Sequence, residues 1–189
     1  MELRSLKFRT KEKMEEKLLW EKAVAFHGHE CGGLTIGFRA SLYAAKLLGL
    51  TFSKDERLVC IAENDACSVD AVQALLGCSV GKGNLLFHMT GKQAFSFYER
   101  TSGKSVRLVL RPAPSGMTRE ESFCYYQAHT AEELFDVKEP KLAVPEHARL
   151  FESYVCDVCG ETAGANWIRI RGGKTLCLDC AGEYDRFHV

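Results

Sequence analysis

The chain lacks an excess of charge of either sign: 25 basic and 25 acidic side chains leave a formal net charge of zero. It therefore has no global field with which to recruit nucleic acid or an anionic membrane. No segment approaches the roughly 18 uninterrupted apolar residues that a membrane span requires. From Met1 to Lys22 the sequence is charged throughout, without the apolar stretch of a signal peptide. Internal repeats and low-complexity tracts are missing too. Proline is scarce, and all four fall between Pro112 and Pro145, around a break at Pro112–Pro114 and a linker at Lys138–Pro145. What is present fits a packed protein: 189 residues, 46% of them apolar, suffice for one ordinary domain plus a small appendage. Nine cysteines, an odd number, fit a reducing compartment better than an oxidising one. A cytoplasmic protein with no membrane association is expected.

Four of those cysteines carry the most specific pattern in the chain. Cys156-Asp-Val-Cys159 is followed after seventeen residues by Cys177-Leu-Asp-Cys180, the spacing of a four-thiolate zinc ribbon. Each pair is expected to form a tight knuckle, with a hairpin between them, and Gly160 stands where the turn away from the metal needs positive φ. Four thiolates close the shell, so such a zinc is structural and offers substrate no open position. Buried cysteines, disulfides or a rubredoxin-type iron are the other readings of the same spacing.

The rest reads as α+β, with helices and strands mixed but no regular βαβ alternation. A helix is expected over Lys11–Phe26, with Met14, Leu18, Glu21/Lys22 and Ala25 on successive turns. A second spans Leu34–Leu48 and stops at Gly49. Its small residues Gly37, Ala40, Ser41 and Ala44 predict close packing against a neighbour. Strands are expected at Arg57–Ala62 and Asn84–Met89, and a hairpin of Ala94–Glu99 with Ser105–Arg111 turns at Thr101-Ser-Gly-Lys104. A helix over Val69–Leu76 ends at Gly77, and two more with acidic first turns cover Thr118–Ala128 and Thr130–Phe135. This gives a core domain over 1–137, a linker over 138–154 and a ribbon over 155–189.

Two segments of the core carry reactive side chains. In His27-Gly-His29-Glu-Cys31 three ligand-type groups stand at alternate positions. An extended backbone would put all three on one face, whereas a first helical turn would make neighbours of His27 and Cys31 alone. The glycines Gly28, Gly32 and Gly33 allow close backbone approach to a ligand. The second segment holds Glu63, Asp65, Cys67 and Asp70, then Cys78 and Lys82 beyond a short helix. Cys67 at the start of that helix is expected to have a lowered thiol pKa. Gly77-x-x-x-Gly81-Lys82 is one residue short of a phosphate-binding loop and lacks the following Ser/Thr, which excludes a nucleotide hydrolase of that kind. Solvated histidines and small core cysteines are the bland alternatives.

These same residues carry a resemblance. Phe26-His-Gly-His-Glu-Cys-Gly-Gly-Leu-Thr-Ile-Gly-Phe-Arg39, Cys67-Ser-Val-Asp-Ala-Val-Gln73 and Gly77-Cys-Ser-Val-Gly-Lys-Gly-Asn-Leu85 resemble the E-subunit family of formylmethanofuran dehydrogenase. It extends through the core, the Pro145-Glu-His-Ala-Arg149 stretch and the ribbon that many members append. Gly32 departs from it, since the family usually has proline after the cysteine. The resemblance implies a dimerising α+β core in which the two segments meet at a metal or active site. The family's name reflects operon association with a tungsten or molybdenum enzyme that reduces carbon dioxide onto methanofuran.

The leading expectation is thus a metal-binding accessory protein of a molybdenum or tungsten oxidoreductase, engaged in metal or cofactor handling or in docking. Cys31, Cys67, Cys78, His27 and His29 would supply its soft ligands. The competing expectation is a metal- or thiol-dependent enzyme acting on a small anionic substrate. There Cys67 or Cys31 would be nucleophile or ligand, His29 or His27 the base, and Lys82 an anion clamp. Six residues, His27, His29, Cys31, Cys67, Cys78 and Lys82, are expected to meet in one pocket, with a possible second metal beside the ribbon zinc. A homodimer is expected from the small-residue helix face and the resemblance. Nucleic-acid binding by the ribbon is disfavoured, because residues 156–189 hold four basic side chains against five acidic ones.

Overall fold

The computed structural model describes residues 2–50, 52–145 and 151–183, with side chains from Lys13 onward. Contacts divide the chain into two units, Met1–Ala148 and Arg149–Val189. Residues 146–150, which include most of the Pro145–Arg149 stretch, and 184–189 lie outside the described residues. Among the described residues no helix is long and apolar enough to cross a membrane.

The first unit opens with α1 (Glu2–His27) and α2 (Gly32–Leu48). Strand β1 (Leu58–Ala62), α3 (Ser68–Leu76) and β2 (Leu85–Phe87) then form a single βαβ unit with parallel strands. The hairpin β3 (Ala94–Glu99) and β4 (Ser105–Leu110) follows, then α4 (Arg119–Ala128), α5 (Ala131–Leu134) and β5 (Phe135–Lys138). The strands make one five-stranded sheet of order β2-β1-β3-β4-β5, antiparallel except between β1 and β2. Alternation turns Leu58, Cys60, Ala62, Phe95, Phe97, Val106 and Leu108 into the helix-facing core, where each is almost fully buried.

Helix α2 runs through the middle of that core. Leu34, Phe38, Ala40 and Ala44 are buried among the sheet and helix residues, and α2 ends at Gly49 as the sequence indicates. Its small-residue face is used inside the chain. A Cβ added at Gly37 would stand 1.9 Å from the Ser68 carbonyl oxygen and 2.7 Å from its Cα, so α3 begins with its backbone against α2. This face therefore lends no support to a dimer. Gly37→Ala would gain roughly 1 kcal/mol of helix propensity but force two backbones apart, which costs up to about 3 kcal/mol or more. Overpacking wins: thermal unfolding should show Gly37→Ala markedly destabilised, and Gly81→Ala, where nothing lies within 4 Å, nearly unchanged.

Two expectations need correction here. The Met14/Leu18 stripe of α1 faces solvent, with both side chains about three-fifths exposed (62% and 61%). The buried stripe is rotated onto Leu19, Trp20, Ala23 and Val24, with Trp20 edge-on to Phe38 at 5.1 Å. Helix α1 is polar on nearly every side, so periodicity gives no reliable face. The second correction is β5. Phe135 closes no helix but starts the edge strand, pairing Leu110, and an alternation of four residues is too short to read.

In the second unit β6 (Ser153–Val155) pairs β7 (Thr162–Gly164), and β8 (Ile168–Arg171) pairs β9 (Lys174–Cys177), which leads into α6 (Leu178–Ala181). Its buried apolar cluster consists of Cys156, Leu176 and Ala181, with Cys177 and Cys180 partly buried against it.

Candidate metal centre

The His27–Cys31 segment is neither a strand nor a first helical turn. His27 is the last residue of α1 and Cys31 the N-cap of α2. Between them Gly28 adopts φ 92°, a left-handed conformation that glycine supplies without strain and that reverses the chain. The reversal aims His27 Nε2 at Cys31 Sγ, 3.7 Å away. Trp20 Nε1 donates to Glu30 Oε1 at 2.9 Å and ties the turn back to α1. The His29 ring lies 4.4 Å from that of His27, on the exposed side.

Cys67 arrives from β1 through a hydrogen-bonded turn. Asn64 Oδ1 accepts from Ala66 N and Ser68 Oγ, while its amide donates to the Lys92 carbonyl. The close α2–α3 approach completes the placement, since a Cβ on Gly33 would sit 3.0 Å from Cys67 Cβ. One ligand atom each from His27, Cys31 and Cys67 thus lies within 4.8 Å of the other two. Ligands of a tetrahedral ion with bonds of about 2.0–2.3 Å stand about 3.3–3.8 Å apart, so the donor set fits a transition metal with slight contraction. Three protein ligands would leave a tetrahedral ion one further position, and such an ion would supply Lewis-acid chemistry.

The other ring nitrogen of His27 has its own partner. Nδ1 lies 2.7 Å from Asp70 Oδ2, and Gln73 Nε2 donates to Asp70 Oδ1 at 3.3 Å. A carboxylate on Nδ1 keeps the proton there and presents the Nε2 lone pair to the sulfurs, the usual arrangement of a metal-bound histidine. The Cys67 thiol pKa is raised, first by burial and then by Cys31 beside it. This corrects the expectation that the helix start would lower it. A cation binding between the thiols would expel their protons.

Cys78 and Lys82 do not join this group. They lie past the far end of α3, whose nine residues span about 13 Å. Cys78 is fully buried, its Sγ–H directed at the Leu58 carbonyl. Burial pushes its thiol up to about 12, with Lys82 opposing. Lys82 donates to the Ser53 carbonyl at 3.1 Å and clamps no anion at the site. Sequence reasoning also gives no role to Asn64 or Gln93. The Asn64-Asp-Ala-Cys-Ser68 run ahead of a helix is the one available signal, because asparagine commonly organises such turns. Gln93 Oε1 accepts from Ser68 Oγ at 3.0 Å.

A cavity of about 590 Å³ opens over the cluster, lined by His29, Glu30, Cys31, Gly32, Gly33, Cys67, Arg119, Glu120, Ser122 and Phe123. That volume is in the range of small-ligand sites.

The second unit gathers Cys156, Cys159, Cys177 and Cys180, whose sulfurs also lie within 4.8 Å of one another. The first pair forms the expected knuckle, with Gly160 N donating to the Cys156 carbonyl and Gly160 at φ 76°. The second pair instead spans the end of β9 and the first turn of α6. Asp157 N donates to the Thr175 carbonyl and Thr175 N to Asp157 Oδ2, which locks the knuckle to β9. No disulfide joins any of the nine cysteines. N–H groups of Cys159, Cys177 and Val158 pull the Cys156 thiol down to about 6, whereas the Cys177 thiol heads the causes that push Cys180 up to about 12. A divalent ion removes that conflict, because all four can then ionise.

Comparison with known proteins agrees with both units. Residues 149–186 match the prokaryotic dksA/traR C4-type zinc finger, which together with the four-sulfur cluster supports a structural zinc. A probable S-adenosyl-L-methionine-binding protein of Archaeoglobus fulgidus is 29% identical over 86% of this chain. The chain spans about half (52%) of that relative's length. The crystal structure of a tungsten formylmethanofuran dehydrogenase FmdE-like protein from Syntrophus aciditrophicus superposes with a TM-score of 0.67 at 27% identity, covering 88% of this chain and 92% of that one. Residues 26–153, most of the chain, match the FmdE family, described by the molybdenum formylmethanofuran dehydrogenase operon, and the protein belongs to that family.

Proposed function

We propose that the core domain is a metal-binding accessory module holding a transition-metal ion between His27, Cys31 and Cys67. The observation that carries the reading is the Asp70–His27 hydrogen bond of 2.7 Å. The His27 side chain is about nine-tenths buried, so its Nδ1–H needs an acceptor in any case. What favours a ligand set is that the same bond holds Nε2 toward the Cys31 and Cys67 thiols. Service to a molybdenum or tungsten oxidoreductase, by handling metal or cofactor or by docking, is supported by the family's operon description. Self-association as a homodimer rests on the family resemblance alone. The cavity favours a second reading, an enzyme or binding protein for a small molecule. The small-molecule ligand in the name of the Archaeoglobus relative lends it support.

Elemental analysis tests the metal. After loading with zinc or cobalt, the chain should hold two ions, and Cys156→Ser/Cys159→Ser one. Adding Cys31→Ser or Cys67→Ser to that variant should remove the last. A doubly substituted ribbon variant whose first unit stays folded and that takes up no metal would overturn the reading. Asp70→Asn should leave the stoichiometry intact and weaken metal affinity by about 10- to 100-fold, measured by competition with a chromogenic chelator.

A further inference from the structure

We infer that the cavity over the His27–Cys31–Cys67 cluster receives a small zwitterionic ligand of the amino-acid class rather than a simple anion. The inference rests on the metal reading above and deepens it. Two carboxylates, Glu30 and Glu120, line the cavity against one guanidinium, Arg119. A divalent ion bound by two thiolates and a neutral imidazole adds no net charge, so the lining keeps an excess of one negative charge. Lys82, the cation expected to favour an anion, is held elsewhere by the Ser53 carbonyl.

Each charge in the lining has spare capacity. Glu30 spends Oε1 on Trp20 and has Oε2 to offer. Arg119 and Glu120 enter no ion pair among the described residues. A ligand carboxylate matches the forked donors of Arg119, and a ligand ammonium matches Glu30 or Glu120. Phe123, its ring centroid 6.3 Å from Trp20, adds an aromatic wall against which an apolar or cationic body can lie. An ion held by His27, Cys31 and Cys67 would have room for a further donor and could take a soft one such as a thioether. One ligand that carries all these groups satisfies the lining, and a bare anion meets repulsion from both carboxylates.

Calorimetric titration of the cobalt-loaded full chain with three probes tests this. L-Methionine carries both charges, 3-(methylthio)propionate lacks the ammonium and 3-(methylthio)propylamine lacks the carboxylate. Methionine should bind, and loss of either charge should weaken binding about tenfold or more, the worth of a charge-assisted hydrogen bond. Arg119→Gln should erase the advantage of methionine over the amine. Glu30→Gln with Glu120→Gln should erase its advantage over the propionate. All three side chains belong to the cavity wall, so unchanged thermal unfolding shows that each variant is folded. Propionate binding as tightly as methionine, or no binding of methionine, overturns the inference. The metal reading fails separately, if the ribbon-substituted chain binds no cobalt, and titration of the metal-free protein then still decides the charge preference.

Discussion

Chelation of zinc will unfold the C-terminal unit and leave the five-stranded sheet of the first unit standing. The buried apolar cluster of the second unit is three residues, Cys156, Leu176 and Ala181, far too few to offset the chain entropy of some thirty residues. Two-stranded hairpins of three or four residues are marginal alone. Zinc bound to four thiolates supplies the missing stabilisation, about 10–16 kcal/mol in apparent terms for small structural sites. Amide resonances of residues 151–183 should therefore collapse toward random-coil positions under a strong zinc chelator, and limited proteolysis should cut there first. Cys156→Ser/Cys159→Ser should behave like the chelated protein. Dispersed ribbon resonances after complete zinc removal would refute the assignment.

The second large effect is expected at the buried ion pair of the sheet. Arg107 Nε and Nη2 donate to the two oxygens of Glu63 at 2.6 and 2.9 Å, and Thr90 Oγ1 adds a third donor at 3.1 Å. Both side chains are more than nine-tenths buried. Arg107→Leu removes the cation and strands a carboxylate, a loss of about 3–5 kcal/mol. Glu63→Leu/Arg107→Leu removes both charges and should restore most of that stability, because a desolvated pair contributes little over apolar packing.

The pH dependence carries the same signature. Hydrogen bonding to Arg107 holds the Glu63 carboxyl below its ordinary value, against burial, which pushes it up. A depressed folded pKa contributes stability that is present above the unfolded value, about 4.3, and lost as pH falls through the folded value. In Arg107→Leu burial acts unopposed by the cation and the carboxyl rises. Stability should then increase as pH falls from 7 toward 4, an interval over which the Glu63 contribution in the parent stays nearly flat. Urea midpoints across that interval will show whether the variant alone gains this slope.

What the sequence reveals depends on how local the determinant is. The β3–β4 hairpin is legible because its alternation is long and Gly103 marks the turn. The ribbon is legible because cysteine spacing states its geometry directly. The convergence of His27, Cys31 and Cys67 is only half legible. His27 and Cys31 are neighbours in sequence, but Cys67 comes to them through the backbone contact of Gly37 with Ser68, which no periodicity encodes. Cys78 groups with the site in sequence because it is close to Cys67, whereas a helix places them at opposite ends. Asp70 stands one turn beyond Cys67, yet its hydrogen bond to His27 depends on how α1 crosses α3. The small residues of α2 correctly announce close packing, but cannot say whether the neighbour is α3 or another chain.

The division of the core cluster into a local pair and a distant third residue has a thermodynamic consequence. His27 and Cys31 remain four positions apart even in the unfolded chain, which keeps a two-point grip on any metal. Folding adds only Cys67 and the tautomer set by Asp70. Metal stabilises a protein solely by its preference for the folded form, so the gain here is the difference between a bidentate and a tridentate chelate. Occupancy of the core site should shift the melting temperature less than its affinity alone implies. The ion would serve chiefly to fix where α3 begins.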